Sequence, residues 1–185
     1  MAPRSNPRWR PAEILTLLGT AAVLVVADQV SKALVVANVP VGGQVQVIGD
    51  VVQIWHAQNR GAAFSLFQNS FMLFLVVGVL AMGLIGYFAW SLRGRSIWYF
   101  VLLGVILAGT LGNLADRIRH ELFVGQQYVT DFISVGIGTL RWPTFNVADS
   151  CLVVGILVFV VVLLVVDARE RAGHEKDPEQ GSELP

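Results

Sequence analysis

Two carboxylates stand where carboxylates are costly. Asp131 lies in Tyr128-Val-Thr-Asp-Phe-Ile133 and Asp149 in Phe145-Asn-Val-Ala-Asp-Ser150, eighteen positions apart and each beside strongly apolar sequence. An acid next to membrane-type sequence must be paired, protonated or in water, so it usually marks function. Two other acids share this situation but have explanations at hand. Asp28 has Lys32 four residues on, the favourable order for a helical ion pair, and Asp116 has Arg117 and Arg119 within reach. Asp131 and Asp149 have no such neighbour; Arg141, the nearest unassigned cation, is ten and eight positions away. Two such carboxylates brought together share a proton, because like charge raises one pKa while the other stays low. The ionised member can then take a proton from water while the protonated member polarises a carbonyl and later helps protonate a leaving amine. That is aspartic peptidase chemistry. A proton-coupled transporter also keeps bare intramembrane acids, and spacing alone leaves both readings open.

Other nucleophiles fit less well. Cys151 is the only cysteine, which excludes an internal disulfide and a zinc–cysteine cluster. At the start of an apolar run it reads as a small buried hydrophobe. The three histidines, at 56, 120 and 174, fall in no familiar nucleophile motif. Ser31 and Lys32 are adjacent, so on a helix they point about 100° apart and make a poor serine–lysine pair.

The elements that must position the acids are membrane spans. The 185 residues are 55% hydrophobic and 14% charged, with a mean hydropathy of +0.64. Soluble domains carry about a quarter charged residues, so this is an integral membrane protein with one domain. Zero net charge gives no case for a nucleic-acid partner. Four apolar runs are expected to cross the bilayer: Ile14–Val36, Phe71–Trp90, Ser96–Ala115 and Val147–Val166. Arginines ahead of the first run also describe a signal peptide, with Val35-Val-Ala37 as a cleavage site, but the Asp28–Lys32 pair inside it and the later spans argue for a retained helix.

Between the first two spans, Gln44–Ile48 and Val51–Trp55 alternate as strands do around the turn residues Gly49-Asp50, predicting a small hairpin or sheet on the membrane surface. The turn Asn59-Arg-Gly-Ala-Ala-Phe-Ser65 follows. Gly109 and Gly112 in the third span suit close helix contact, and Asn113, Asp116 and Arg117 share a helical face. Residues 118–146 read as a mixed loop. Asn146 and Asp149 share a face at the entry to the fourth span. Residues 1–13 form a basic cytoplasmic tail, 14–167 the membrane domain, and 168–185 a charged tail expected to be disordered.

Basic residues orient the whole. Arg4, Arg8, Arg10, Arg93, Arg95, Arg169, Arg171 and Lys176 lie on one side; Arg60, Arg117, Arg119 and Arg141 lie on the other. Eight against four puts both termini in the cytoplasm and every polar cluster near the outer face. This clustering, and the lack of a repeat, weigh against a transporter, whose site tends to lie at the midplane. A non-catalytic assembly factor is a third reading, in which Asp131→Asn would be harmless.

Five short motifs then resemble, in order and in placement, those of bacterial lipoprotein signal peptidase (signal peptidase II). They are Asp28-Gln-Val-Ser-Lys32, Asn59-Arg-Gly-Ala-Ala-Phe-Ser65, Gly112-Asn-Leu-Ala-Asp-Arg117, Val129-Thr-Asp-Phe132 and Phe145-Asn-Val-Ala-Asp149. The resemblance spans about residues 14–167. It implies a mainly α fold of four transmembrane helices, with a small extracytoplasmic sheet between helices 1 and 2 and an extracytoplasmic loop between helices 3 and 4. It implies an aspartic endopeptidase of the bacterial cytoplasmic membrane, with no metal or organic cofactor, that cuts prolipoproteins just before a diacylglyceryl-modified cysteine. The dyad would be Asp131 and Asp149. Asp28, Lys32, Asn59, Gly61, Asn113, Asp116, Arg117 and Asn146 would support or line the site. The implied partners are the diacylglyceryl prolipoprotein, membrane lipids and inhibitory cyclic peptides of the globomycin type, with the enzyme a monomer.

Overall fold

Four long helices carry the chain: α1 (Pro11–Asn38), α2 (Phe71–Ser91), α3 (Ile97–Val124) and α4 (Val147–Glu175). The structure, a computed structural model, describes residues 9–61 and 70–175, with side chains described as far as Val166. Each helix contains a window long and apolar enough to cross ~30 Å of hydrocarbon. The four expected spans coincide with these helices, Ser96 of the third being the N-cap of α3. Half of the most apolar window of α3 is buried, against 11% for α1 and α2 and 17% for α4, so α3 is the central helix and the others turn most of their apolar surface outward. Outward-facing leucines and valines on three helices are the arrangement that lipid stabilises and water would not.

α1 starts at Pro11, where a missing backbone N–H costs nothing. Glu13 accepts from the Arg10 N–H at 3.1 Å and from the Gly94 N–H at 2.8 Å, tying this end of α1 to the α2–α3 connection. Gly125 ends α3 in the left-handed conformation (φ 66°). α4 continues beyond the span into sequence expected to be disordered from residue 168. It is helical as far as Glu175 because Ala168, Arg169, Glu170, Arg171 and Ala172 are mostly strong helix formers continuing an existing helix.

The sheet is larger than a hairpin. β1 (Gln44–Ile48) and β2 (Val52–Asn59) form the expected antiparallel pair around Gly49 (φ 48°). The segment read as a mixed loop between the third and fourth spans then supplies β3 (Val129–Ile137) and β4 (Leu140–Arg141), giving the antiparallel order β1-β2-β3-β4. On its other side β3 bridges Phe145 through Ile133. Two buried clusters organise the interior. Ile85, Tyr99, Phe100, Leu103, Ile106 and Phe159 pack α2, α3 and α4 together. Val35, Val39 and Phe132, with Ile54, Ile133 and Val147, fasten the sheet to the end of α1 and the start of α4.

Candidate active site

Strand register places Asp131. Ala57 of β2 faces Asp131 of β3, and Asn59 faces Val129. Asn59 and Asp131 are therefore diagonal neighbours on one face of the sheet, within side-chain reach. Asn59 Nδ2 donates to Asp131 Oδ2 at 2.9 Å. On the far side of β3, Phe145 exchanges backbone bonds with Ile133 (2.7 and 3.1 Å), which brings Asn146 to the same carboxylate. Asn146 Nδ2 donates to Asp131 Oδ1 at 2.7 Å. Both oxygens of Asp131 are thus held, and the residue is 1% exposed. Burial, and then the charge of Asp149, push its pKa from 3.8 up to about 7, against the opposing hydrogen bonds from Asn59 and Asn146 and the positive charge of Lys32.

Asp149 is placed by the start of α4. Its N–H donates to Asn146 Oδ1 at 2.9 Å, and its Oδ2 accepts from the Asn146 N–H at 3.1 Å. This is a reciprocal helix cap, with Asn146 at the N-cap and an acid three residues on. Asp149 Oδ1 accepts from Asn113 Nδ2 at 2.7 Å, and Asn113 Oδ1 accepts from Asn146 Nδ2 at 3.1 Å. Asn146, fully buried, therefore touches both carboxylates and the side chain that orients one of them. Among the described residues no cation lies within ion-pair distance of either acid. Arg141 binds Asp50 and Ser134 instead.

Beneath the pair lies an ion network. Lys32, 0% exposed, is 2.8 Å from Asp28 and 3.1 Å from Asp116. The Asp28–Lys32 pair is as expected. Asp116, expected to pair with Arg117 or Arg119, pairs with Lys32 and with Arg119 at 3.3 Å. Helical spacing could not show that α1 runs alongside α3 at this level. Asp28 also caps α4 from a neighbouring helix, its Oδ1 accepting from the Ala148 N–H at 2.9 Å. A Cβ on Gly112 would sit 2.7 Å from Asp28 Oδ2 and 2.9 Å from the Ala148 Cβ, so only glycine lets α3 come this close. Asp116 Oδ2 accepts from the Thr130 N–H at 3.2 Å, anchoring β3 one residue before Asp131.

Arg117 points away from Asp116. It stacks on Phe74 of α2, 4.0 Å from the ring centroid, and donates to the Gly61 carbonyl at 3.1 Å. Gly61 in turn donates to Asn59 Oδ1 at 3.1 Å, so Arg117 steadies the turn that carries Asn59. Residues Ala62–Ser65 of that motif lie outside the described residues. Ser31 Oγ donates to the Asp28 carbonyl at 2.8 Å and takes no part with Lys32. Sequence reasoning assigned no role to Gln29 or Thr130. Gln29 Nε2 reaches Asp28, the Gly112 carbonyl and Asp116 at 3.0–3.2 Å, binding α1 to α3. Its place between Asp28 and Lys32 in a span was the available signal.

Fold and site define a multi-pass membrane protein that holds two hydrogen-bonded aspartates, Asp131 buried and Asp149 partly exposed, at one end of a four-helix bundle. Residues 20–165 match the family described as signal peptidase (SPase) II. The lipoprotein signal peptidase of Rhodococcus jostii is 40% identical over 151 residues, covering 82% of this chain and 73% of that protein. That of Lactiplantibacillus plantarum is 34% identical over 148 residues, covering 80% and 93%. A solved structure described as a bacterial membrane enzyme superposes with a TM-score of 0.71 at 26% identity, covering 87% of this chain and 98% of the other. The chain belongs to the signal peptidase II family, membrane proteases of lipoprotein processing.

Proposed function

We propose that the protein is an aspartic endopeptidase that removes the signal peptide of prolipoproteins, cleaving before the diacylglyceryl-modified cysteine with Asp131 and Asp149 as the catalytic pair. The observation that carries this reading is Asn146, which donates to Asp131 and is capped by Asp149. It links two carboxylates, neither of them ion-paired among the described residues, at the start of α4. The pair carries one proton. The ionised carboxylate takes a proton from water as the water oxygen attacks the scissile carbonyl, and the protonated one donates to the carbonyl oxygen. When the C–N bond breaks, the leaving nitrogen takes a proton and the signal peptide gains a carboxyl end.

Placement suits the substrate. An apolar signal helix with acyl chains can enter only sideways from the bilayer, whereas hydrolysis needs water, which is present at the interface and absent from the midplane. Asp149 at the start of α4 and Asp131 on the strand beside it meet both needs. The excess of basic residues at the amino tail, the 91–95 connection and the carboxyl tail puts both termini in the cytoplasm and the pair near the outer face. Residues 14–167 form the working domain, acting as a monomer among membrane lipids, and globomycin-type cyclic peptides compete with substrate for the same groove.

The test is cleavage of a diacylglyceryl precursor beside its unlipidated form, with wild type, Asp131→Asn and Asp149→Asn. Loss of an acid–base partner costs roughly 10²–10⁴-fold. Either variant cutting the lipidated precursor at the normal rate would sink the dyad. Proton flux in liposomes without cleavage would favour the transporter.

A further inference from the structure

At the C-terminal end of α3 lies a cavity of about 250 Å³ lined, among the described residues, by Arg60, Glu121, Gly125, Gln126 and Gln127. Among the described residues the lining side chains, Gly125 aside, are all polar, so acyl chains gain little there. The cavity adjoins the candidate site: Arg60 follows Asn59, whose Nδ2 holds Asp131, and β3 begins at Val129, two residues past Gln127. Arg60 donates to Gln126 Oε1 at 2.8 Å and has further donors. Gln127 is 9% exposed, yet its Oε1 has no hydrogen-bond partner among the described residues. A buried acceptor without a donor is costly, and a ligand N–H would satisfy it.

The geometry points to this cavity as a subsite for the polar mature segment that follows the modified cysteine, with Arg60 favouring acidic side chains there. The inference rests on the peptidase reading. Distance sets which residues arrive. Glu121 lies five residues beyond Asp116 on α3, roughly 7 Å further along the axis at about 1.5 Å per residue. An extended chain rises about 3.3 Å per residue, so this is about two residues of chain, and roughly the second to fourth residues of the mature chain reach the cavity. Amide acceptors, a guanidinium and a carboxylate together suit peptide groups. Gln126 and Gln127 can pair with the successive N–H and C=O groups of a peptide, which a lipid headgroup lacks.

The experiment uses the full-length protein in nanodiscs and three diacylglyceryl precursors. One ends at the modified cysteine, as its amide; two continue for six residues, with Asp or with Lys at the second to fourth residues of the mature chain. The acidic extended precursor is expected to have the lowest KM. Arg60→Gln should raise that KM at least fivefold with kcat unchanged and leave the short precursor unaffected. Arg60→Glu should shift the preference to the lysine-bearing precursor. Equal effects on short and extended precursors, no effect on either, or a response that follows anionic lipid content instead of precursor length would overturn the subsite. Failure of the wild type to cut any lipidated precursor would overturn the peptidase reading as well, which separates the two failures.

Discussion

Asn146 and Asp149 exchange hydrogen bonds across the first turn of α4, the Asp149 N–H donating to Asn146 Oδ1 at 2.9 Å and the Asn146 N–H to Asp149 Oδ2 at 3.1 Å. The cap that starts the helix and the proposed catalytic carboxylate are the same set of atoms. Because Asn146 Nδ2 also reaches Asp131, folding α4 onto the sheet and assembling the pair are one event.

The two roles of Asn146 can be separated. Asn146→Ala loses both the cap and the donor to Asp131, and should cost about 1 kcal/mol or somewhat more in stability together with most of the cleavage rate. Asn146→Ser keeps an N-cap oxygen but not the amide donor. It should recover much of the stability and little of the activity, read by thermal unfolding in detergent alongside turnover. Full activity in the serine variant would show that the donor to Asp131 is dispensable.

The raised pKa of Asp131 fixes a sign for pH dependence. With burial first and Asp149 second pushing it to about 7, the folded protein keeps a proton that the unfolded chain releases near 3.8. Stability from this group therefore falls as pH rises between those values and is lowest above about 7. Asp131→Asn removes the titration. The difference in Tm, variant minus wild type, should grow from pH 4 to pH 8; a flat difference would contradict the shift. Cleavage by the wild type should fall as pH rises through about 7, where the pair loses its shared proton.

Lys32 sits between Asp28 and Asp116 with no exposure. Lys32→Ala leaves buried Asp28 without its cation and Asp116 with Arg119 alone, and should cost about 3–5 kcal/mol, seen first as lower yield of folded protein. Adding Asp116→Asn should restore part of that loss. Full stability of Lys32→Ala with altered choice of cleavage site would show that Lys32 contacts substrate instead.

Two glycine substitutions should differ sharply. Gly112→Ala drives a Cβ against Asp28 and Ala148, so about 1–3 kcal/mol and much activity should be lost. Gly83→Ala meets open space on α2, and should be neutral or stabilise by up to about 1 kcal/mol. Matched unfolding curves of the two would settle whether close approach of α3 to α4 holds the site.

By itself the sequence determined whatever is local. Hydrophobic runs of about 20 residues give the spans, alternation around Gly49-Asp50 gives the first hairpin, and i, i+4 spacing gives the Asp28–Lys32 pair. It also marked Asp131 and Asp149 as acids without a nearby cation. Tertiary structure decided what depends on distant partners. β3 was hidden because Thr130, Asp131 and Ser134 are polar yet buried, which erases the alternation that announces a half-exposed strand. Its register against β2 joins Asn59 to Asp131 across 72 residues of chain. Lys32 binds Asp116 because α1 and α3 run side by side, and Arg117, freed from that pairing, steadies the Gly61 turn. Burial gave the final distinction: a carboxylate's pKa is set by the water it loses and the charges brought near it, and neither is written along the chain.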